Sequence, residues 1–177
     1  AYQPATPTAL NSGKKARGEL VSCFKLSIDD TMNSIAENIG YCLELSRLGG
    51  GVGTLLTDLR PLGDPIKGIL NRASGVMPVA KLLENSFSYS NQLGQRNGSG
   101  VAYLNIFHGD IEEFISSKKP NADEKIRLAT LSTGVIIPDI FFTLMQKDKD
   151  IVLFSPYDIY KEYGKRMSEI SMTEMYY

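Results

Sequence analysis

Cys23 stands next to last in the segment NSGKKARGELVSCF (11–24), where a basic, glycine-marked turn runs into a short apolar strand beside the Ser22 hydroxyl. A thiol can donate hydrogen or electrons, and two thiols together supply two electrons by closing a disulfide. Free cysteine is also commonly a buried packing group, so the residue pattern alone leaves both readings open. Thr6, Ser22 and Gly51 add hydroxyls and a close-approach glycine, types that suit a ribose or a diphosphate. Ordinary turn chemistry accounts for each of them singly.

Two more loops of similar character follow, LSRLGGGVGTLL (45–56) and NQLGQRNGSGVAYLN (91–105). GGGVG is neither a Walker loop nor a dinucleotide fingerprint. In the second loop, Gln92 and Arg96 offer donors to a base or a phosphate, and the glycines permit rearrangement. Asp30 can accept from a ribose hydroxyl or base edge, while Arg60 and Lys67 can meet phosphates. The plainer reading of those three is a helix cap and two solvated loop charges. Cys42 falls on an apolar helical stripe and is assigned to packing. His108 has no acidic or cysteine partner at a motif spacing, and a Cys23–His108 nucleophile pair would join two different strands without an oxyanion signature. The runs Asp110–Glu113 and Lys147–Asp150 read as solvated helix ends, and the late tyrosines, including Tyr157, as packing.

The elements that must position these groups alternate. Residues 1–18, with Pro4, Pro7 and Gly13, read as an irregular lead-in ahead of a domain over 19–177. Glu19–Ser27 reads as a strand. Asp29 or Asp30 is placed to cap a helix whose apolar face is Met32, Ile35, Ile39, Cys42 and Leu45, and Gly49–Gly51 stop it. Next come a strand at Val52–Thr57, a loop at Asp58–Asn71, a helix from Met77 to Gln92 and a strand at Val101–Phe107. A helix at Asp110–Ser117, a helix or turn at Asn121–Thr130, a strand at Leu131–Ile137, a helix at Asp139–Lys147, a strand at Ile151–Phe154 and a helical turn or two at Tyr157–Tyr163 complete the pattern. Strands alternating with helices imply an α/β sheet with a substantial parallel part, open or closed.

Composition narrows the chemistry. Length 177, 42% hydrophobic and 22% charged residues describe an ordinary globular chain able to bury a core. A net charge of −1 gives no electrostatic footprint for nucleic acid. Two cysteines are no secreted disulfide framework, and a single histidine makes a Cys/His zinc site improbable, so no metal is expected. No apolar run approaches a membrane span, and the opening residues have no signal-peptide core, which leaves the cytoplasm as the default.

Taken in order, the SCF segment, the GGGVG loop, DLRPLGDPIKG (58–68), the 91–105 loop, NADEKIR (121–127) and FSPYDIYKEYG (154–164) resemble the large alpha subunit of ribonucleotide reductase. The likeness runs from about Pro7 to Tyr177 and is nearest the class Ib enzymes that reduce ribonucleoside diphosphates. It implies a ten-stranded α/β barrel of two five-stranded halves, of which the chain supplies roughly the first half as an internal piece of a longer subunit. It makes Cys23 one of the redox pair beneath the substrate ribose, with Thr6, Ser22, Gly51 and Arg96 on the substrate. Asp30, Arg60 and Lys67 become the allosteric specificity site for a deoxynucleoside triphosphate or ATP, and Gln92 and Arg96 part of a loop linking effector to substrate base. The implied partners are a radical-generating beta subunit with a dimetal centre, a thioredoxin- or glutaredoxin-like reductant and a second alpha chain, with no cofactor held by this segment itself. The alternative is a nucleotide-binding regulatory module without chemistry of its own.

Overall fold

The computed structural model describes residues 3–4, 6–14, 20–90 and 99–176. Among the described residues, four strands, β1 (Cys23–Ser27), β2 (Gly51–Leu55), β3 (Ser99–Asn105) and β4 (Ser132–Ile136), form one sheet in the order β1-β2-β3-β4, and every pairing is parallel. Sequential order without a reversal is how a singly wound barrel grows; an open doubly wound sheet reverses at a switch point. The sequence-based expectation of a parallel α/β sheet therefore holds, with the order that a barrel requires.

Between the strands lie α2 (Met32–Arg47) and α3 (Val76–Tyr89), and α4 (Ile111–Ser116) follows β3. One hydrophobic core joins these helices to one face of the sheet: Val52, Ala102 and Leu104 from the strands, with Leu56 just past β2, meet Cys42, Val76, Ala80, Leu83, Phe87 and Phe114 from the helices. Burying each large side chain contributes about 1.5–3 kcal/mol relative to exposure. Gly100 has no side chain because the Phe87 ring occupies that space; a Cβ there would lie 2.0 Å from Cε2. Because strand residues alternate faces, Cys23, Lys25 and Ser27 lie on the opposite, uncovered face with Leu55, Tyr103 and Ile136. There the Tyr103 ring spreads over the glycines of both neighbouring strands, so that a Cβ on Gly134 would sit 2.4 Å from the ring and one on Gly53 3.4 Å away.

Past the strands' C-terminal ends, α5 (Asp139–Gln146), α6 (Pro156–Tyr163), a 3-10 turn (Met167–Glu169) and α7 (Met172–Met175) build a second apolar cluster around Phe107, Ile140, Ile159, Met167 and Met172. The Leu131 end of β4's approach is fastened by a buried carboxylate on α3. Glu84 accepts from the Thr130 and Leu131 amides at 2.6 and 3.2 Å, and from the Lys81 ammonium at 2.8 Å. Burial by itself would raise this carboxyl's pKa, but the Lys81 bond and the two amides outweigh it and hold the group at about 2.

Several boundaries differ from the sequence reading. Residues 1–18 are not wholly irregular, since α1 (Thr6–Asn11) lies among them. Pro7 falls in its first turn, where no helical hydrogen bond is lost, and Thr8 Oγ1 fastens the helix by donating to the Leu20 carbonyl at 3.1 Å. The first strand starts only at Cys23, because the Gly51–Ser99 end of the sheet offers no earlier partner. The cap of α2 is Thr31, which accepts from the Ser34 amide, while Asp29 and Asp30 turn outward to arginines. Ile151–Phe154 forms no strand. Phe154 makes one parallel bridge to His108, beyond the end of β3, where the chain has already curled away from extended geometry.

Candidate functional site

Parallel register sorts the candidate residues to the two ends of the sheet. At the N-terminal end, Cys23 pairs with Gly51 and Gly51 with Ser99. The Cys23 thiol is free and exposed, and its Sγ lies 3.6 Å from Ser22 Oγ. Gly51 donates its N–H to the Ser22 carbonyl at 2.6 Å, so the backbones of the three residues share one edge. A Cβ at Gly51 would come within 3.3 Å of Ser99 Oγ; the missing side chain leaves the surface beside the thiol open to a ligand. Thr6 stands on α1, which the Thr8–Leu20 bond fastens two residues before Ser22. Gln92 and Arg96 lie outside the described residues. They fall between the end of α3 and Ser99, which begins β3 beside Gly51.

At the C-terminal end, Asp30 and Arg60 meet. Arg60 Nε donates to Asp30 Oδ2 at 2.5 Å, Nη1 donates to the Pro65 carbonyl, and the Arg60 amide reaches Asp30 Oδ1 at 3.4 Å. The Tyr157 ring faces the guanidinium at 4.5 Å from its centroid, and Lys161 faces the same ring at 5.4 Å. Lys67 sits at the exposed tip of the same loop with φ 50°, between the paired Ile66 and Ile69. The geometry thus joins Asp30 to Arg60 and puts Lys67 on their loop. Cys23 begins β1 and Asp30 lies three residues beyond its end, so the length of the strand, on the order of 13 Å, separates them. The thiol and the charge cluster are separate sites.

Cys42 is fully buried, its Sγ 3.8 Å from Thr54 Oγ1, and burial pushes the thiol's pKa up. His108 is also fully buried, at the opposite end of the sheet from Cys23. Its ring Nε2 lies 2.7 Å from the Leu59 carbonyl, and Nδ1 accepts the Asp110 amide at 3.0 Å, so the proton belongs on Nε2. Burial holds its pKa below the usual histidine value, against the opposing pull of the Leu59 carbonyl and the carboxylates of Asp110, Asp64 and Asp58. A neutral imidazole with both nitrogens engaged is a structural tie rather than a base.

Asp110 corrects the sequence reading outright. It is buried and not solvated, and its carboxylate accepts the amides of Leu62 and Val76, both at 2.9 Å. Asp58, treated as a loop residue, is likewise buried and accepts the amide and hydroxyl of Ser168 at 2.9 and 2.6 Å. Tyr157 was read as packing alone, yet it is the aromatic wall of the arginine. No local spacing could have announced these three, since their partners lie 34 to 110 residues away. Among the described residues, no group of three or more His, Cys, Asp or Glu side chains could hold a metal ion, and no helix is long and apolar enough to cross a membrane.

Comparison with known proteins bears on what this two-ended arrangement serves. Residues 21–177 match the family described as ribonucleotide reductase, barrel domain. The chain belongs to the ribonucleotide reductase family. Among its relatives, the ribonucleoside-diphosphate reductase subunit alpha of Mycoplasma pneumoniae is 57% identical over 99% of this chain and 24% of that protein. The corresponding subunit of Bacillus subtilis is 54% identical over 99% of the chain and 25% of its own length. That of Chlamydia pneumoniae is 35% identical over 96% of the chain and 16% of its length. The chain therefore spans at most about a quarter of these curated relatives. A four-stranded portion in sequential parallel order fits a reductase barrel domain.

Proposed function

We propose that this chain is a portion of the alpha subunit of a ribonucleoside-diphosphate reductase, an enzyme that converts a ribonucleoside diphosphate to the deoxy product. The observation that carries the proposal is the exposed Cys23 thiol beside the bare backbone of Gly51, on the uncovered face of a reductase-family sheet. Ser22 and Thr6 supply hydroxyls, Gly51 lets the substrate lie close, and Arg96 meets it from the loop before β3. Cys23 is one of two thiols that close a disulfide as the 2′ hydroxyl leaves as water, delivering two electrons and two protons to the ribose. The second thiol and the radical-forming cysteine belong to the rest of the subunit. A dimetal beta subunit supplies the radical, and a thioredoxin- or glutaredoxin-like protein reopens the disulfide.

The Asp30–Arg60 cluster, with Lys67, is the binding site for a deoxynucleoside triphosphate or ATP. Arg60 arrives pre-oriented by Asp30, Pro65 and Tyr157, so little side-chain entropy remains to be lost on meeting a phosphate. Gln92 and Arg96, in the sequence between α3 and β3, carry the effector's identity to the choice of base. The working assembly includes a second alpha chain, and an exposed free thiol suits the reducing cytoplasm.

The test is Cys23→Ser in the complete enzyme with its radical subunit. Substrate binding should persist, since serine is similar in size and still hydrogen-bonds, whereas deoxynucleoside diphosphate formation should collapse and base release should accompany the abortive attack. Normal product yield from the serine variant would remove Cys23 from the chemistry. A packing thiol would instead lower stability modestly and leave turnover alone.

A further inference from the structure

We propose that Asp110 is a positioning residue that couples the effector cluster to helix α3, by bonding the segment after Arg60 and the first residue of α3 with one buried carboxylate. The inference rests on the assignment of Asp30 and Arg60 to the effector. Oδ1 accepts the amide of Leu62, two residues after Arg60, and Oδ2 accepts the amide of Val76, the first residue of α3. The far end of α3, at Tyr89, leads directly into residues 91–98, which hold Gln92 and Arg96.

The local sequence has other uses for this group, and the structure declines them. Asp110 occupies the N-cap position of its own helix α4 yet makes no capping bond there. Instead it satisfies the leading amide of α3, whose own cap residue, Gly75, has no side chain to do so. The geometry around it is close: a Cβ on Gly75 would sit 2.5 Å from Oδ2, and Gly75 also needs its φ of 76°. His108 fixes the other side of the arginine by meeting the Leu59 carbonyl, while its Nδ1 holds the Asp110 backbone amide. Pro61 packs on Gly109, where a Cβ would be 2.8 Å from the proline. Arg60 is thus held one residue before and two residues after itself from a single tripod, His108–Asp110. A shift of the effector loop that moves Leu62 must either stretch its bond to Asp110 or draw Val76 and α3 with it. Asp110 is thereby a physical junction between two elements, and an element that both sites bias is a physical route for a coupling free energy between them.

The experiment is Asp110→Asn in the complete alpha subunit assayed with its radical partner, using a deoxynucleoside triphosphate as the probe. Asparagine keeps the shape but can accept only one of the two amides well, so effector affinity should weaken about tenfold, the size expected for one lost charge-assisted bond. The effector-driven change in the ratio of kcat/KM between two diphosphate substrates should shrink by a similar factor. Turnover without effector should change by less than about threefold, because the carboxylate lies far from the thiol end. Lower thermal stability with unchanged effector affinity and unchanged substrate ratio would make Asp110 a purely structural tie and overturn the inference. Should the variant not fold, the unmodified protein still decides: adding the triphosphate should slow amide exchange at both Leu62 and Val76, and a change at neither, or at Leu62 alone, overturns the coupling. Unmodified protein that binds no triphosphate at all would instead refute the effector assignment beneath it. Binding that is lost in Arg60→Ala but intact in Asp110→Asn, with the substrate ratio also intact, refutes only the junction.

Discussion

Replacing Glu84 by glutamine tests how the barrel portion is fastened, with a size that follows from the structure. The carboxylate is held at about 2 against an ordinary 4.5. Holding the carboxyl that far below its ordinary value contributes about 3 kcal/mol of native-state stabilisation at neutral pH, less what solvent around the partly exposed Lys81 screens away. Since the folded-state pKa is depressed, that stabilisation is present in full above the unfolded value near 4.5 and is lost as pH falls through about 2. Glutamine keeps an oxygen for the Thr130 and Leu131 amides but presents an uncharged group to the Lys81 ammonium. Glu84→Gln should therefore cost about 2–3 kcal/mol near pH 7 and less than about 1 kcal/mol near pH 2.5. Equilibrium urea unfolding of both proteins at the two pH values, with m-values compared to verify the same transition, measures the difference. A loss of equal size at both pH values, or none at neutral pH, would show that the charge on Glu84 is not what holds Thr130 and Leu131.

Two other substitutions probe separate features. In the complete enzyme, Arg60→Ala should weaken effector binding roughly tenfold to a hundredfold, from about 1.5–3 kcal/mol of lost charge-assisted contact, while turnover without effector stays near normal; an unchanged effector titration would return Arg60 to a plain loop charge. Gly100→Ala should destabilise the fold by about 1–3 kcal/mol, because its new Cβ meets the buried Phe87 ring, and a thermal midpoint equal to that of the parent would contradict the packing.

Periodicity made the alternation of strands and helices legible, and the core face of α2 could be read from Ile35, Ile39 and Cys42, although Met32 at its start is exposed. The glycine stop at Gly49 was equally readable, since that residue adopts φ 97° to end the helix. Local sequence misleads where tertiary partners override local preference. Asp29 and Asp30 have ideal capping chemistry, but Thr31 takes the cap because Arg166 and Arg60 claim the carboxylates. Phe154 has strand propensity, but β3 has ended before it arrives. Asp110 has a helix-end sequence and a core address. For the candidate site, residue types identified Cys23, Asp30 and Arg60, and register then joined Cys23 to Gly51 and turned Asp30 toward Arg60. Tyr157 was hidden because its partner, Arg60, is 97 residues away in sequence.

The tyrosine spread over two glycines carries an evolutionary consequence. Tyr103 fills the volume that side chains at Gly134 and Gly53 would otherwise occupy, so the three positions hold one shared allotment of space across adjacent strands. A methyl group at Gly134 would force the ring aside, and losing the ring first would bare the backbone of both glycines on the exposed face. Drift at this layer therefore proceeds by compensated exchange. Lineages descending from such a chain should trade bulk between positions 103 and 134 in concert, and a lone substitution at either should be followed by its counterpart.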